Sequence, residues 1–149
     1  MNERLKGLYK TIILEHNKEP FFYEKNEEAT YVLKAYNQIC GDRFELYFEV
    51  KDGVIEDLTF HGFGCAISKA STSVLVKNLK GKDFVKALLF CRQFLSATTS
   101  EVESKENLGE ELEAFSAAKE FPGRLKCATL AWDEMVGFLE NGGRLTVDG

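Results

Sequence analysis

The hydrophobic pattern of this chain changes period at Cys65, and that switch constrains the fold more than any other feature. Between Arg43 and Val50, the residues Phe44, Leu46, Phe48 and Val50 alternate with Glu45, Tyr47 and Glu49. A period of two buries one sheet face and leaves the other largely wet. Lys51-Asp52-Gly53 follows directly, and an Asp-Gly pair tolerates the positive φ angles of a tight hairpin. Val54 to Phe60 then reads as the return strand, and Thr30 to Asn37 as a further β-rich stretch, so an antiparallel sheet is expected. From Cys65 onward the apolar residues Ile67, Ala70, Val74 and Leu75 mark a helical face instead, ending at Gly81 as a C-terminal cap.

The flanking segments extend this reading. Leu5, Leu8, Ile12 and Ile13 predict an amphipathic N-terminal helix that runs out in the polar stretch Glu15 to Pro20. Asp83 suits the cap of a second central helix with the stripe Phe84, Leu88, Cys91 and Leu95. Ser96 to Gly109 is polar and is read as a loop. Glu110 to Lys119 predicts a short helix, and Cys127 to Glu140 a longer one stopped by Asn141-Gly142-Gly143. Strands first and helices afterwards argue for an α+β domain, a small three-stranded antiparallel sheet with helices packed on one face. At 149 residues the chain fits one domain, 1–149, with one core.

Charge narrows the function. The net charge is −5 and no run of Lys and Arg makes a basic footprint, so nucleic acid is not an expected partner. The start, Met1 to Lys6, lacks the apolar core of a secretory signal, and no stretch approaches the roughly 20 apolar residues that span a bilayer. The expected location is cytoplasmic, with no membrane partner. In that reducing compartment the four cysteines suit thiols, metal ligands or redox groups better than a disulfide framework.

Three of them sit where side chains can be presented. Cys40-Gly41-Asp42 falls between the first two strands, and Gly62-Phe63-Gly64-Cys65 between the third strand and the first central helix. Adjacent glycines allow tight backbone conformations and remove bulk beside a sulfur. Cys127 opens the last helix, where the dipole and the neighbours Arg124 and Lys126 favour a thiolate. Three thiolates and the Asp42 carboxylate make a four-coordinate shell for zinc, and the same thiolates are the usual ligands of iron–sulfur clusters; the donor set does not choose between them. Asp42 is the harder and more exchangeable donor for a thiophilic metal. Cys91 lies on an apolar stripe and is expected to be a small buried hydrophobe. His16 is expected to meet helix-end carbonyls, and His61 to be only a neighbour of the cysteines. Phe63 is the aromatic expected to dock a partner, while Phe21 and Phe22 read as edges of the core.

Four segments in order resemble the SufU/IscU family of U-type iron–sulfur assembly proteins. They are Leu8-Tyr9-Lys10 with His16 after it, Cys40-Gly41-Asp42, Gly62-Phe63-Gly64-Cys65-Ala66-Ile67-Ser68, and Arg124-Leu125-Lys126-Cys127-Ala128-Thr129-Leu130. The resemblance implies an α+β fold and a zinc or [2Fe–2S] site at Cys40, Asp42, Cys65 and Cys127. It implies sulfur transfer from a cysteine desulfurase persulfide to Cys40, with Arg124 steadying the sulfur or Asp42. Downstream scaffolds or apo acceptor proteins would receive what is carried, and a cluster scaffold is the alternative role. A carrier is expected rather than a freestanding thiol enzyme, since neither histidine adjoins the cysteine motifs. Lys126, where the IscU type carries histidine, and the polar insert around Ser96 to Gly109 lean toward SufU. Lys18-Glu19-Pro20-Phe21-Phe22 departs from the Asn-Pro-Arg-Asn that the family often has after the first helix.

Overall fold

The computed structural model describes residues 3–39, 41–99 and 109–142. Helix α1 (Glu3–Lys18) precedes strands β1 (Tyr31–Asn37), β2 (Asp42–Lys51) and β3 (Val54–Phe63). Helices α2 (Ala66–Leu79), α3 (Phe84–Thr99), α4 (Glu110–Phe115) and α5 (Leu125–Glu140) follow, with two short 3-10 turns between α4 and α5. The α+β expectation holds.

The strands pair antiparallel in the order β1-β2-β3. Asp52 and Gly53 both take positive φ, 53° and 74°, as the tight β2–β3 turn requires. Phe44, Leu46 and Phe48 are fully buried, and Phe60 and Leu58 stand opposite Leu46 and Phe48 on β3. Each such side chain contributes about 1.5–3 kcal/mol on burial. The other face is less wet than alternation suggests at Tyr47, which is only 4% exposed. Its hydroxyl and that of Tyr36 each donate to Glu45 at 2.8 Å, so the polar ends are satisfied under cover. Register brings Asn37 opposite Asp42 and Arg43 opposite Phe63, which gathers the two strand ends that flank the cysteine motifs.

Helix α2 is the central post, packed against α1, α5 and β3. Beyond its apolar stripe it buries Ser68, Ser71, Thr72 and Ser73. Small side chains let neighbouring elements approach closely, and each hydroxyl finds a partner. Ser71 Oγ donates to the Ala128 carbonyl and accepts from Trp132 Nε1 at 2.8 Å, while Thr72 Oγ1 donates to Ser68 O at 2.8 Å. Trp132 stacks on Phe94 at 3.7 Å and fixes α5 on α3.

Asp83 caps α3 as expected, its Oδ1 accepting from Lys86 N at 2.8 Å. The expected loop from Ser96 begins too early, because α3 runs to Thr99. Thr98 and Thr99 donate to Leu95 O at 3.0 and 2.6 Å, so their hydroxyls are satisfied without leaving the helix. The rest of that stretch, 100–108, lies outside the described residues. Likewise the Glu110 to Lys119 helix is α for its first six residues and 3-10 from Ser116.

Candidate metal centre

Three elements converge at one end of the sheet. Asp42 is the first residue of β2 and is fully buried. Cys65 is the N-cap of α2, its backbone still extended at φ −70° and ψ 166°, which turns the chain from β3 into the helix. Cys127 is in the first turn of α5 and 1% exposed. Their donor atoms all lie within 4.8 Å of one another. In a tetrahedral zinc shell, bonds of about 2.0–2.3 Å separate neighbouring donors by about 3.3–3.8 Å. The triad is thus about an ångström from a coordination triangle. Cys40 lies outside the described residues; Gly41, between it and Asp42, takes φ +75°.

The Asp42 carboxylate is held on one side only. Oδ1 accepts from Cys65 N at 2.9 Å and from Ser68 Oγ at 3.0 Å. Oδ2 is buried with no hydrogen-bond partner among the described residues. A buried carboxylate oxygen left bare costs several kcal/mol of solvation, roughly, and a cation beside two sulfurs answers it. Cys65 Sγ accepts from Ser68 N at 3.4 Å, so the first turn of α2 orients both donors. The chemistry of this set, two sulfurs and one hard oxygen, fits a thiophilic ion with one exchangeable position.

Glycine is required where the strands meet α2. A Cβ at Gly64 would fall 2.5 Å from Asp42 Oδ1 and 2.7 Å from Ser68 Oγ; at Gly62, whose φ is +143°, it would fall 2.1 Å from Arg43 O. The sequence pattern placed both glycines beside a sulfur, and the close neighbour at Gly64 is the carboxylate.

The other residues singled out in the sequence are spread over the fold. Arg124 is exposed at the head of α5, and the groups that hold Asp42 are Cys65 N and Ser68 Oγ. His61 is exposed, its ring 4.9 Å from that of Tyr23. His16 does not cap its helix but is buried between Ser73 and Glu111. Cys91 is fully buried in the core, and burial pushes its thiol up to about 12. Phe63 and Ile39, next to the two glycine-flanked motifs, are 66% and 96% exposed.

Two residues of the site had no role read from sequence. One is Ser68, which lies within the Gly62 to Ser68 motif. The other is Tyr9, whose hydroxyl is buried without a hydrogen-bond partner among the described residues. Burial pushes its phenol up to about 12, and Cys65 and Cys127 lie near enough to add to the rise. Tyr9 also stacks on Phe121 at 6.0 Å, just ahead of α5.

Known proteins share this sequence and fold. The NifU-like N terminal domain matches residues 8–131. The zinc-dependent sulfurtransferase SufU of Bacillus subtilis is 36% identical over 88% of this chain and 88% of its own length. The iron–sulfur cluster assembly scaffold protein IscU of Thermotoga maritima is 32% identical over 85% of this chain and 89% of its own. Among solved structures, an iron–sulfur cluster assembly scaffold protein for the SUF system from Fervidobacterium islandicum superposes with a TM-score of 0.79. It is 33% identical and covers 89% of this chain and 96% of that one. With the family domain spanning most of the chain and its cysteine motifs meeting at one buried aspartate, this protein belongs to the NifU-like N-terminal family of iron–sulfur cluster assembly proteins.

Proposed function

We propose that this protein is a zinc-dependent sulfur acceptor in iron–sulfur cluster assembly, holding zinc through Cys40, Asp42, Cys65 and Cys127. The observation that carries this reading is the half-satisfied carboxylate of Asp42, buried within reach of two cysteine sulfurs. Similarity to the Bacillus subtilis sulfurtransferase over nearly the whole of both chains supports zinc over a permanent cluster. Zinc would keep its cysteine ligands deprotonated and shielded until one is released.

Sulfur would come from the persulfide of a cysteine desulfurase. The Cys40 thiolate attacks the outer, sulfane sulfur; the donor's S–S bond breaks and its thiolate leaves with the electron pair. A new S–S bond leaves the persulfide on Cys40, with no net oxidation. Asp42, the hard donor, would be the readily exchanged ligand beside the released Cys40. Arg124, at the head of α5, would steady the anionic persulfide or Asp42. Exposed Ile39 and Phe63 give a docking partner apolar surface beside Cys40 and Cys65. Downstream scaffolds or apo proteins would take the sulfur on, in the cytoplasm.

Metal and acid-labile sulfide analysis of protein purified without oxygen tests this directly. About one zinc per chain, no sulfide and no colour is the expected result. Iron and sulfide in equal amounts with visible charge-transfer bands would overturn it in favour of the scaffold role.

A further inference from the structure

Ser68 touches two of the candidate donor residues, Asp42 and Cys65. Its Oγ lies 3.0 Å from Asp42 Oδ1 and 3.0 Å from Cys65 O, and its backbone N–H reaches Cys65 Sγ at 3.4 Å. A serine hydroxyl has one proton, which serves one acceptor at a time. Asp42 Oδ1 has a second donor in Cys65 N–H at 2.9 Å, so it is occupied whichever way the hydroxyl turns. The hydroxyl is almost wholly buried, at 1% exposure for the residue, and water does not replace it cheaply.

The other oxygen is treated differently. Oδ2 is buried and receives no hydrogen bond among the described residues. Gly64 leaves the room in which the carboxylate and the hydroxyl meet, for a Cβ there would strike both.

We infer that Ser68 is a positioning residue that, with the Cys65 amide, keeps Asp42 Oδ1 out of the coordination shell and makes Asp42 a one-oxygen ligand through Oδ2. This rests on the proposal that Asp42 faces a metal. A carboxylate bound through one oxygen leaves by breaking one bond, whereas a chelating one must break two. Donors on Oδ1 also draw negative charge away from the metal-facing oxygen. Ser68 therefore sets both the direction and the lability of the ligand that must exchange; its Oγ also lies 3.5 Å from Cys65 Sγ, a second route that the Asp42→Ala background separates from the first.

The test is a double-mutant cycle read by metal binding and spectrum, without any transfer assay. Wild type, Ser68→Ala, Asp42→Ala and the double variant are reduced and titrated with Co²⁺ under nitrogen. Zn²⁺ affinity is measured in parallel by chelator competition. Ser68→Ala is expected to weaken zinc by about 10–100-fold and to shift the cobalt visible bands towards those of Asp42→Ala. In the Asp42→Ala background the same change should cost less than about twofold, because the group it acts through is gone. An unchanged affinity and spectrum in Ser68→Ala would overturn the inference. So would an equal loss in both backgrounds, which would place the effect on Cys65 or on the fold. Failure of the wild type to take up either ion would instead sink the metal reading, and this inference with it.

Discussion

His16 Nε2 lies 2.7 Å from Glu111 Oε2 while its Nδ1 lies 2.7 Å from Ser73 Oγ, so one buried imidazole ties α1 to both α2 and α4. Ser73 Oγ accepts from Phe21 N at 2.8 Å, which leaves its own proton for Nδ1. The network then closes with Nε2–H donating to Glu111. Lys77 and Asn78 add donors to the same carboxylate at 3.1 and 3.3 Å.

Acid should break this junction. Burial pushes the Glu111 carboxyl up, but hydrogen bonds from His16, Lys77 and Asn78 outweigh it and hold the group down at about 2. A depressed folded value gives stability that is complete above the unfolded value of 4.5 and is lost as pH falls toward 2. Glu111→Gln should cost about 1–3 kcal/mol at pH 7. Its melting temperature should fall less steeply than that of wild type between pH 5 and pH 2.5. Melts followed by circular dichroism at several pH values check this, and parallel profiles for the two proteins would contradict it.

How much of this was legible in the sequence differs from element to element. The hairpin was, because alternation from Phe44 to Val50 and the Asp52-Gly53 turn are local signals that the sheet only confirms. The donors Asp42, Cys65 and Cys127 were named from motifs, and the fold brings those three together. The serine-rich sides of α2 were not legible as buried, since a hydroxyl reads as wet until its partner is known. Ser71 finds Trp132 and Ser73 finds His16 across 61 and 57 residues of chain. Separation along the chain also hid Ser68, 26 residues from Asp42, and His16, whose partners lie on two other helices. Arg124, read from sequence as steadying the sulfur or Asp42, stands exposed at the head of α5.

Gly64→Ala should damage the centre without dismantling the core. The new methyl would meet Asp42 Oδ1 at 2.5 Å, Phe44 Cε2 at 2.7 Å and Ser68 Oγ at 2.7 Å. Relief requires the carboxylate to swing or β2 to shift, costing about 1–3 kcal/mol of stability. Zinc affinity should drop by about tenfold or more. Chelator competition and a thermal melt measure the two effects, and wild-type affinity in the variant would show that the clash relaxes elsewhere.

Cys91 should behave as a core residue under every assay of the site. It is fully buried, and burial raises its thiol to about 12, so almost no thiolate exists at neutral pH. Alkylation of the native, metal-free protein should leave this cysteine unmodified in the peptide map, and unfolding should expose it. Cys91→Ala should lower stability by about 1 kcal/mol, the cost of a small cavity, with zinc content unchanged. Rapid native labelling at this position would mean that α3 opens far more readily than its packing implies.

Cys40→Ala should separate sulfur acceptance from folding. Cys65 caps α2 and Cys127 is packed within the first turn of α5, so loss of either sulfur disturbs a helix start as well as the centre. Cys40 belongs instead to the connection between β1 and β2, whose described neighbours Ile39 and Gly41 are exposed. The core contacts of β1 and β2 are expected to survive its removal. Incubation with a persulfide-loaded cysteine desulfurase, followed by intact mass measurement, should add one sulfur atom to wild type and to Cys91→Ala but none to Cys40→Ala. The melting temperature of the metal-free Cys40→Ala protein should stay close to that of metal-free wild type. Equal sulfur uptake by Cys40→Ala would move the acceptor to Cys65 or Cys127, and the exchange of Asp42 would then have to uncover a sulfur that the fold itself holds at a helix start.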